Sequence, residues 1–106
     1  METPLISIVM AVYNEKETEL RQSIESILKQ SYQNFEFIIV LDNPDNQALA
    51  AVLNEYAKEE PRIVLISNEH NLGLAPSLNR GLKASRGDYI ARMDADDIAV
   101  PERLND

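Results

Sequence analysis

The 106-residue chain contains no cysteine and a single histidine. The first absence removes disulfides, thiolate nucleophiles and zinc–thiolate sites, and it is compatible with a reducing cytosol. The second leaves His70 without a companion donor for a transition-metal ion, so it reads as a loop residue. Glycine is scarce as well, three in the chain, and none falls in a GxxxxGK[ST] or GxGxxG run, so neither phosphate loop is present. Basic residues are outnumbered, 10 against 18 acidic, for a formal net charge of -8. That balance speaks against a surface that holds nucleic acid by neutralising phosphates, and a polyphosphate ligand would need a cation beside it. No apolar run approaches the roughly 20 residues of a membrane-spanning helix. The opening Met1-Glu2-Thr3-Pro4 lacks the basic segment and apolar core of an export signal. With no internal repeat, linker or composition shift either, the expectation is one cytoplasmic domain over residues 1–106.

What is present alternates. Leu5-Ile6-Ser7-Ile8-Val9-Met10-Ala11-Val12 is a short apolar, β-branched run that predicts a strand buried on both faces and ending at Tyr13-Asn14-Glu15. Leu20, Ile24, Ile27 and Leu28 recur at helical spacing and predict an amphipathic helix opening near Lys16 to Thr18. Phe35 to Leu41 reads as a second strand, stopped by the turn-forming Asp42-Asn43-Pro44-Asp45. Leu49, Val52, Leu53 and Tyr56 mark a second helix that ends before Pro61, and Ile63 to Ile66 a third strand. A polar loop, Ser67 to Gly73, leads to a third helix from about Ala75 to Ala84 with Leu78 and Leu82 inward. Gly73 is expected to supply an unusual backbone angle, and Gly81, inside the helix, a close packing contact. Arg86-Gly87-Asp88 makes a turn, Tyr89 to Met93 a fourth strand, and Pro101-Glu102-Arg103-Leu104 suits the first turn of a helix.

Such alternation predicts an α/β domain, a Rossmann-like three-layer sandwich with a mostly parallel sheet and right-handed crossovers. Ligands bind such sheets outside the carboxyl ends of the strands. Tyr13-Asn14-Glu15, Asp42-Asn43, Asn68 to Gly73 and Asp94 to Asp97 all follow strands, so all four are expected on one edge. In Met93-Asp94-Ala95-Asp96-Asp97, neighbouring carboxylates repel one another unless water or a cation neutralises them, and oxygen-only ligands suit Mg²⁺, Mn²⁺ or Ca²⁺. Extended backbone would aim Asp94 and Asp96 to one side. The other reading is a solvated turn capping the helix that follows, with Asp97 as cap or outer partner. Asp42 either accepts from a ligand N–H or hydroxyl or bonds its own turn; Tyr13 either stacks on a base or packs under a loop; Glu15 suits a helix N-terminus.

In its ordered motifs the chain resembles the family 2 glycosyltransferases, whose amino-terminal half has the nucleotide-binding GT-A fold. The motifs are Ser7 to Glu15, the Ser26 to Glu36 helix-to-strand passage, Asn71-Leu72-Gly73, Asn79-Arg80-Gly81-Leu82, and Gly87 to Asp97. The resemblance implies a nucleoside-diphosphate sugar donor, most often a UDP-sugar, with its diphosphate held by Mn²⁺ or Mg²⁺. By position it implies that Ala11 and Tyr13 line the base pocket, that Glu15 lies close to base or ribose, and that Asp42 accepts from the base N–H. Asp94 would contact the ribose or a metal-bound water, beside Ala95, and Asp96 would coordinate the metal. After Asp42 the chain departs from the family's usual small Gly/Ser turn, with Asn43-Pro44-Asp45 instead. The family's carboxylate base and its carbohydrate or lipid-linked acceptor surface belong to its second half, so the chain is expected to be the donor-binding part of an inverting enzyme, its base lying beyond Asp106. The resemblance also implies a place at the inner membrane face, where such enzymes in bacteria commonly build surface polysaccharide.

Two other classes are open. A Mg²⁺-dependent phospho-receiver or phosphatase-like α/β domain also gathers aspartates, but it places them after the first strand, where this chain has Tyr13-Asn14-Glu15. A non-catalytic fragment would expose an apolar face and self-associate.

Overall fold

The computed structural model describes residues 3–93, and Asp94 to Asp106 lie outside the described residues. Strands and helices alternate: β1 (Ile6–Val12), α1 (Glu17–Leu28), β2 (Phe35–Leu41), α2 (Gln47–Glu59), β3 (Ile63–Ser67), α3 (Leu74–Ala84) and β4 (Tyr89–Arg92). The strands form one 4-stranded sheet in the order β3-β2-β1-β4. All three pairings are parallel, in registers running from Ile6↔Phe35 to Val12↔Leu41, from Ile6↔Tyr89 to Val9↔Arg92, and from Phe37↔Ile63 to Leu41↔Ser67. Parallel neighbours need crossovers, and each is a helix.

Side-chain alternation divides the layers. On one face Ile8, Met10 and Val12 of β1 and Phe37, Ile39 and Leu41 of β2 join Leu20, Ile24 and Ile27 of α1 and Leu49, Val52 and Leu53 of α2 in a single core. On the other face α3 lies so close that a Cβ on Gly81 would stand 2.4 Å from Val9 Cγ1 and 3.5 Å from Val40 Cγ2. The three-layer arrangement and the close contact at Gly81 are as expected. β2, an inner strand covered on both faces, is buried at every position. Burying each of its large apolar side chains contributes about 1.5–3 kcal/mol.

The third helix differs from its sequence reading. Ser77 and Gly81, four residues apart, are its buried pair, while Leu82 is 42% exposed and Leu78 half-buried. The tight approach at Gly81 sets the phase of the helix and turns Leu82 toward a shallow, mostly apolar groove of about 350 Å³ lined by Val9, Ala75, Leu78, Leu82 and Ile90, with Asn79 and Arg92 at its polar positions. Among the described residues no helix is long and apolar enough to cross a membrane.

The amino-terminal edge of the sheet is fastened by polar groups. Glu36, inside β2 and 5% exposed, accepts from Ser7 Oγ (2.6 Å), from the Arg86 N–H (2.6 Å) and from Arg86 Nε (3.3 Å). Burial pushes its carboxyl up, but those hydrogen bonds outweigh burial and hold it below the ordinary value. The Gly87 N–H donates to Ser7 Oγ (2.8 Å) and the Leu5 N–H to Asp88 Oδ2 (3.0 Å). A Cβ on Gly87 would lie 2.5 Å from Ser7 Oγ and 2.8 Å from the Leu5 carbonyl oxygen, so this crossing requires glycine.

Candidate nucleotide site

The opposite, carboxyl edge is where β1, β2 and β3 release their chains. β1 ends into Tyr13-Asn14-Glu15, β2 into Asp42 and β3 into Asn68 to Gly73. An open cavity of about 380 Å³ lies there, lined by Ala11, Val12, Tyr13, Glu15, Asp42, Asn71, Gly73 and Leu74. The fold thus brings Ala11, Tyr13, Glu15 and Asp42 into one pocket. Asp94, Ala95, Asp96 and Asp97 lie outside the described residues. The strand that leads to them is held beside β1, with the Met93 N–H on the Val9 carbonyl (3.1 Å). Outward from β1 the sheet runs one way to β2 and β3 and the other way to β4, so chain order reverses between β1 and β4, the position where α/β sheets form their ligand crevice.

Tyr13 stands at the mouth, 51% exposed, and its N–H donates to Glu15 Oε1 (2.8 Å). That bond closes a tight local turn and spends one carboxylate oxygen of Glu15 on backbone. Asn14 Oδ1 accepts from Asn46 Nδ2 (3.2 Å), and Asn46 Oδ1 caps α2 by accepting the Leu49 N–H (3.1 Å). The rim of the pocket is thereby tied to the start of the second helix.

Asp42 forms the floor. It is 4% exposed, and its carboxylate is fully engaged by the chain. Oδ1 accepts from Asn68 Nδ2 (2.7 Å) and the Leu72 N–H (2.7 Å); Oδ2 accepts from Asn71 Nδ2 (3.0 Å) and the Gly73 N–H (2.9 Å). Burial would raise its pKa, yet the Leu72 N–H, the Asn68 amide, the Gly73 N–H and the Ser77 hydroxyl outweigh it and hold the carboxyl below its ordinary value. The residue is an anion in its pocket. It also stands at the start of α3: Gly73, the helix N-cap, carries φ 98, a conformation that favours glycine, and offers no capping side chain. The carboxylate of Asp42 accepts the N–H groups of Leu72 and Gly73, just before the first turn, and so lies at the positive end of the helix dipole.

Three residues whose sequence context marks only a polar loop or a helix hold this floor. Asn68 is buried at 1% exposure; its amide also donates to Ser77 Oγ (2.9 Å), and its carbonyl oxygen accepts from Arg80. Asn71 bonds both the carboxylate and the main-chain oxygen of Asp42. Ser77 sits in helical phase with Gly81 on the buried side of α3, and that spacing of two small residues was the one readable sign that the helix turns this face inward. Among the described residues, no three His, Cys, Asp or Glu side chains gather as metal ligands.

The comparisons with known proteins agree with this geometry. The sequence profile described as "Glycosyl transferase family 2" matches residues 7–106. An uncharacterized glycosyltransferase of Methanocaldococcus jannaschii is 52% identical over 104 residues, covering 98% of this chain and 36% of that protein. Among solved structures, a mannosyltransferase of Pyrobaculum calidifontis in complex with GDP-Man and Mn²⁺ aligns with a TM-score of 0.84 at 22% identity, over 97% of this chain and 31% of that one. S. aureus TarS in complex with UDP-GlcNAc aligns with a TM-score of 0.81 at 26% identity, over 94% of this chain and 29% of that one. The chain therefore spans about a third of the length of these proteins and has the GT-A architecture. It belongs to glycosyl transferase family 2.

Proposed function

We propose that the chain is the donor-binding part of an inverting, metal-dependent glycosyltransferase that takes its sugar from a nucleoside diphosphate, a UDP-sugar first, for polysaccharide or glycan synthesis on the cytoplasmic side of a membrane. The observation that carries this reading is the convergence of Ala11, Tyr13, Glu15 and Asp42 on one cavity at the carboxyl edge of a parallel sheet. The co-complexes of the related folds with GDP-Man and with UDP-GlcNAc support the same ligand class.

In this reading Tyr13 gives the base an aromatic face, Ala11 leaves room for the ring, and Glu15 meets base or ribose. Asp42 orients the base through its N–H. The acidic run that starts one residue after Met93 supplies carboxylate oxygens alone, the donor chemistry of Mn²⁺ or Mg²⁺, with Asp96 as ligand and Asp94 as ligand or ribose partner. When bound, such a cation offsets the charge that develops on the departing diphosphate. The base that deprotonates the acceptor hydroxyl, and the acceptor surface, would come from the remaining length of the longer relatives. The apolar groove beside β4 supports a further expectation, that this polypeptide by itself associates with a second copy.

Calorimetry with UDP and Mn²⁺ tests the donor reading. Heat of binding that depends on the metal, and that Asp96→Ala loses, is the expected outcome. No heat at millimolar UDP, with Asp96→Ala indistinguishable from the parent, would sink it.

A further inference from the structure

A carboxylate offers about four lone-pair sites, and in Asp42 the chain itself fills them. A ligand N–H can reach this acceptor only by replacing one of the four donors. Two are the main-chain N–H groups of Leu72 and Gly73, fixed by the φ of 98 at Gly73 and by the start of α3. The third belongs to Asn68, buried and held at its other contacts by Ser77 and Arg80. The fourth is Asn71, whose exposed side chain lines the cavity and whose amide makes its two bonds to Asp42, at 3.0 Å to Oδ2 and 3.0 Å to the main-chain oxygen. Both of those partners are acceptors, so the amide must present its nitrogen to them. Of the four donors, Asn71 is the one on an exposed side chain that can rotate away without unfolding the loop.

We infer that Asn71 is a specificity gate: its amide N–H holds the place on Asp42 that the imide N–H of a uracil-type base takes, and the base enters by exchange with it. Amide and imide N–H are like donors, so the exchange leaves the number of hydrogen bonds to the buried anion unchanged. A base without that N–H cannot displace Asn71 without leaving an acceptor of Asp42 short of a donor, and it therefore binds more weakly. The gate therefore favours bases carrying an imide N–H and lowers the apparent affinity even for those, by the fraction of molecules in which Asn71 is turned away. The inference rests on the nucleotide reading of the pocket.

The test compares UDP with N3-methyl-UDP, each with Mn²⁺, against the parent chain and Asn71→Ala. The parent binds UDP more tightly than the methylated ligand. In the variant, UDP binding tightens by about threefold to tenfold as the competing donor disappears, while binding of N3-methyl-UDP stays level. Equal or weaker UDP binding by a variant whose circular dichroism matches the parent overturns the gate. A readout that needs no variant is the side-chain amide spectrum of the parent: on saturation with UDP the Asn71 NH₂ pair moves and the Asn68 pair stays. A stationary Asn71 pair in the bound state also overturns the gate. Failure of the parent to bind UDP at all is a different result, since it refutes the donor reading itself and the gate with it.

Discussion

Asp42 is a buried anion held by four donors that come from 26 to 31 positions further along the chain. Removing the carboxylate leaves the Leu72 and Gly73 N–H groups without their partner and the Asn68 amide with Ser77 alone, so Asp42→Ala should destabilise the chain by about 2–4 kcal/mol in urea unfolding. The pH dependence has a definite sign. Because the folded carboxyl titrates below its unfolded value, the unfolded state binds more protons in the interval between the two, and stability rises with pH there. The contribution is complete above the unfolded value of about 3.9 and is lost as pH falls through the folded one. Glu36 adds a contribution of the same sign. Acid titration followed by circular dichroism should therefore show stability falling below about pH 4, with Asp42→Asn less stable at neutral pH and shallower in acid. The sequence showed that Asp42 ends a strand among turn formers; it could not show which donors reach the carboxylate. Those are placed by the β2–α2–β3 crossover, and contacts at such separation follow from topology rather than from local pattern.

At the scale of elements, α3 is the one whose sequence pattern misleads. Leu78 and Leu82 suggest the buried stripe, but the helix meets the sheet through Ser77 and Gly81. Gly81→Ala separates the competing effects. Alanine gains about 1 kcal/mol in helix propensity over glycine. Its methyl would lie 2.4 Å from Val9 Cγ1, and a buried β-branched side chain has no free rotamer to give. Overpacking should win, with a net loss of about 1–3 kcal/mol in thermal unfolding that Val9→Ala in the same chain partly restores. The unusual angle at Gly73 and the close contact at Gly81 were legible because glycine has few reasons to stand in those places. The order of the strands was not: periodicity reveals that strands exist, and which lie side by side depends on how the crossovers pack.

For the whole molecule, the groove beside α3 and one face of the outer strand form one surface. Leu82 is 42% exposed and Ile90 52%, Tyr89 at 63% projects from the opposite face of β4, and among the described residues β4 stands at the edge of the sheet. Exposed apolar edges pair with other chains, and the one charge within this edge strand, Arg92, stands at the far end of β4 from Tyr89 and Ile90. Light scattering should show a mass that grows with concentration, and Ile90→Lys should return it to the monomer; a monomeric parent at high concentration would contradict this expectation. The α/β class, the three layers and the gathering of polar loops at one edge could all be read from the alternation of strands, helices and polar turns.

The polar fastening at the far edge joins Leu5 and Ser7 to Glu36 and to Arg86, Gly87 and Asp88. During synthesis on a ribosome, β1 and β2 emerge long before the segment that completes this fastening. Until Arg86 and Gly87 leave the exit tunnel, Glu36 lacks its Arg86 donors and Ser7 lacks its Gly87 donor. The polar seam between β1, β2 and the turn before β4 therefore closes only once Arg86 and Gly87 arrive, and a pause in translation before Arg86 would leave that seam open on the ribosome.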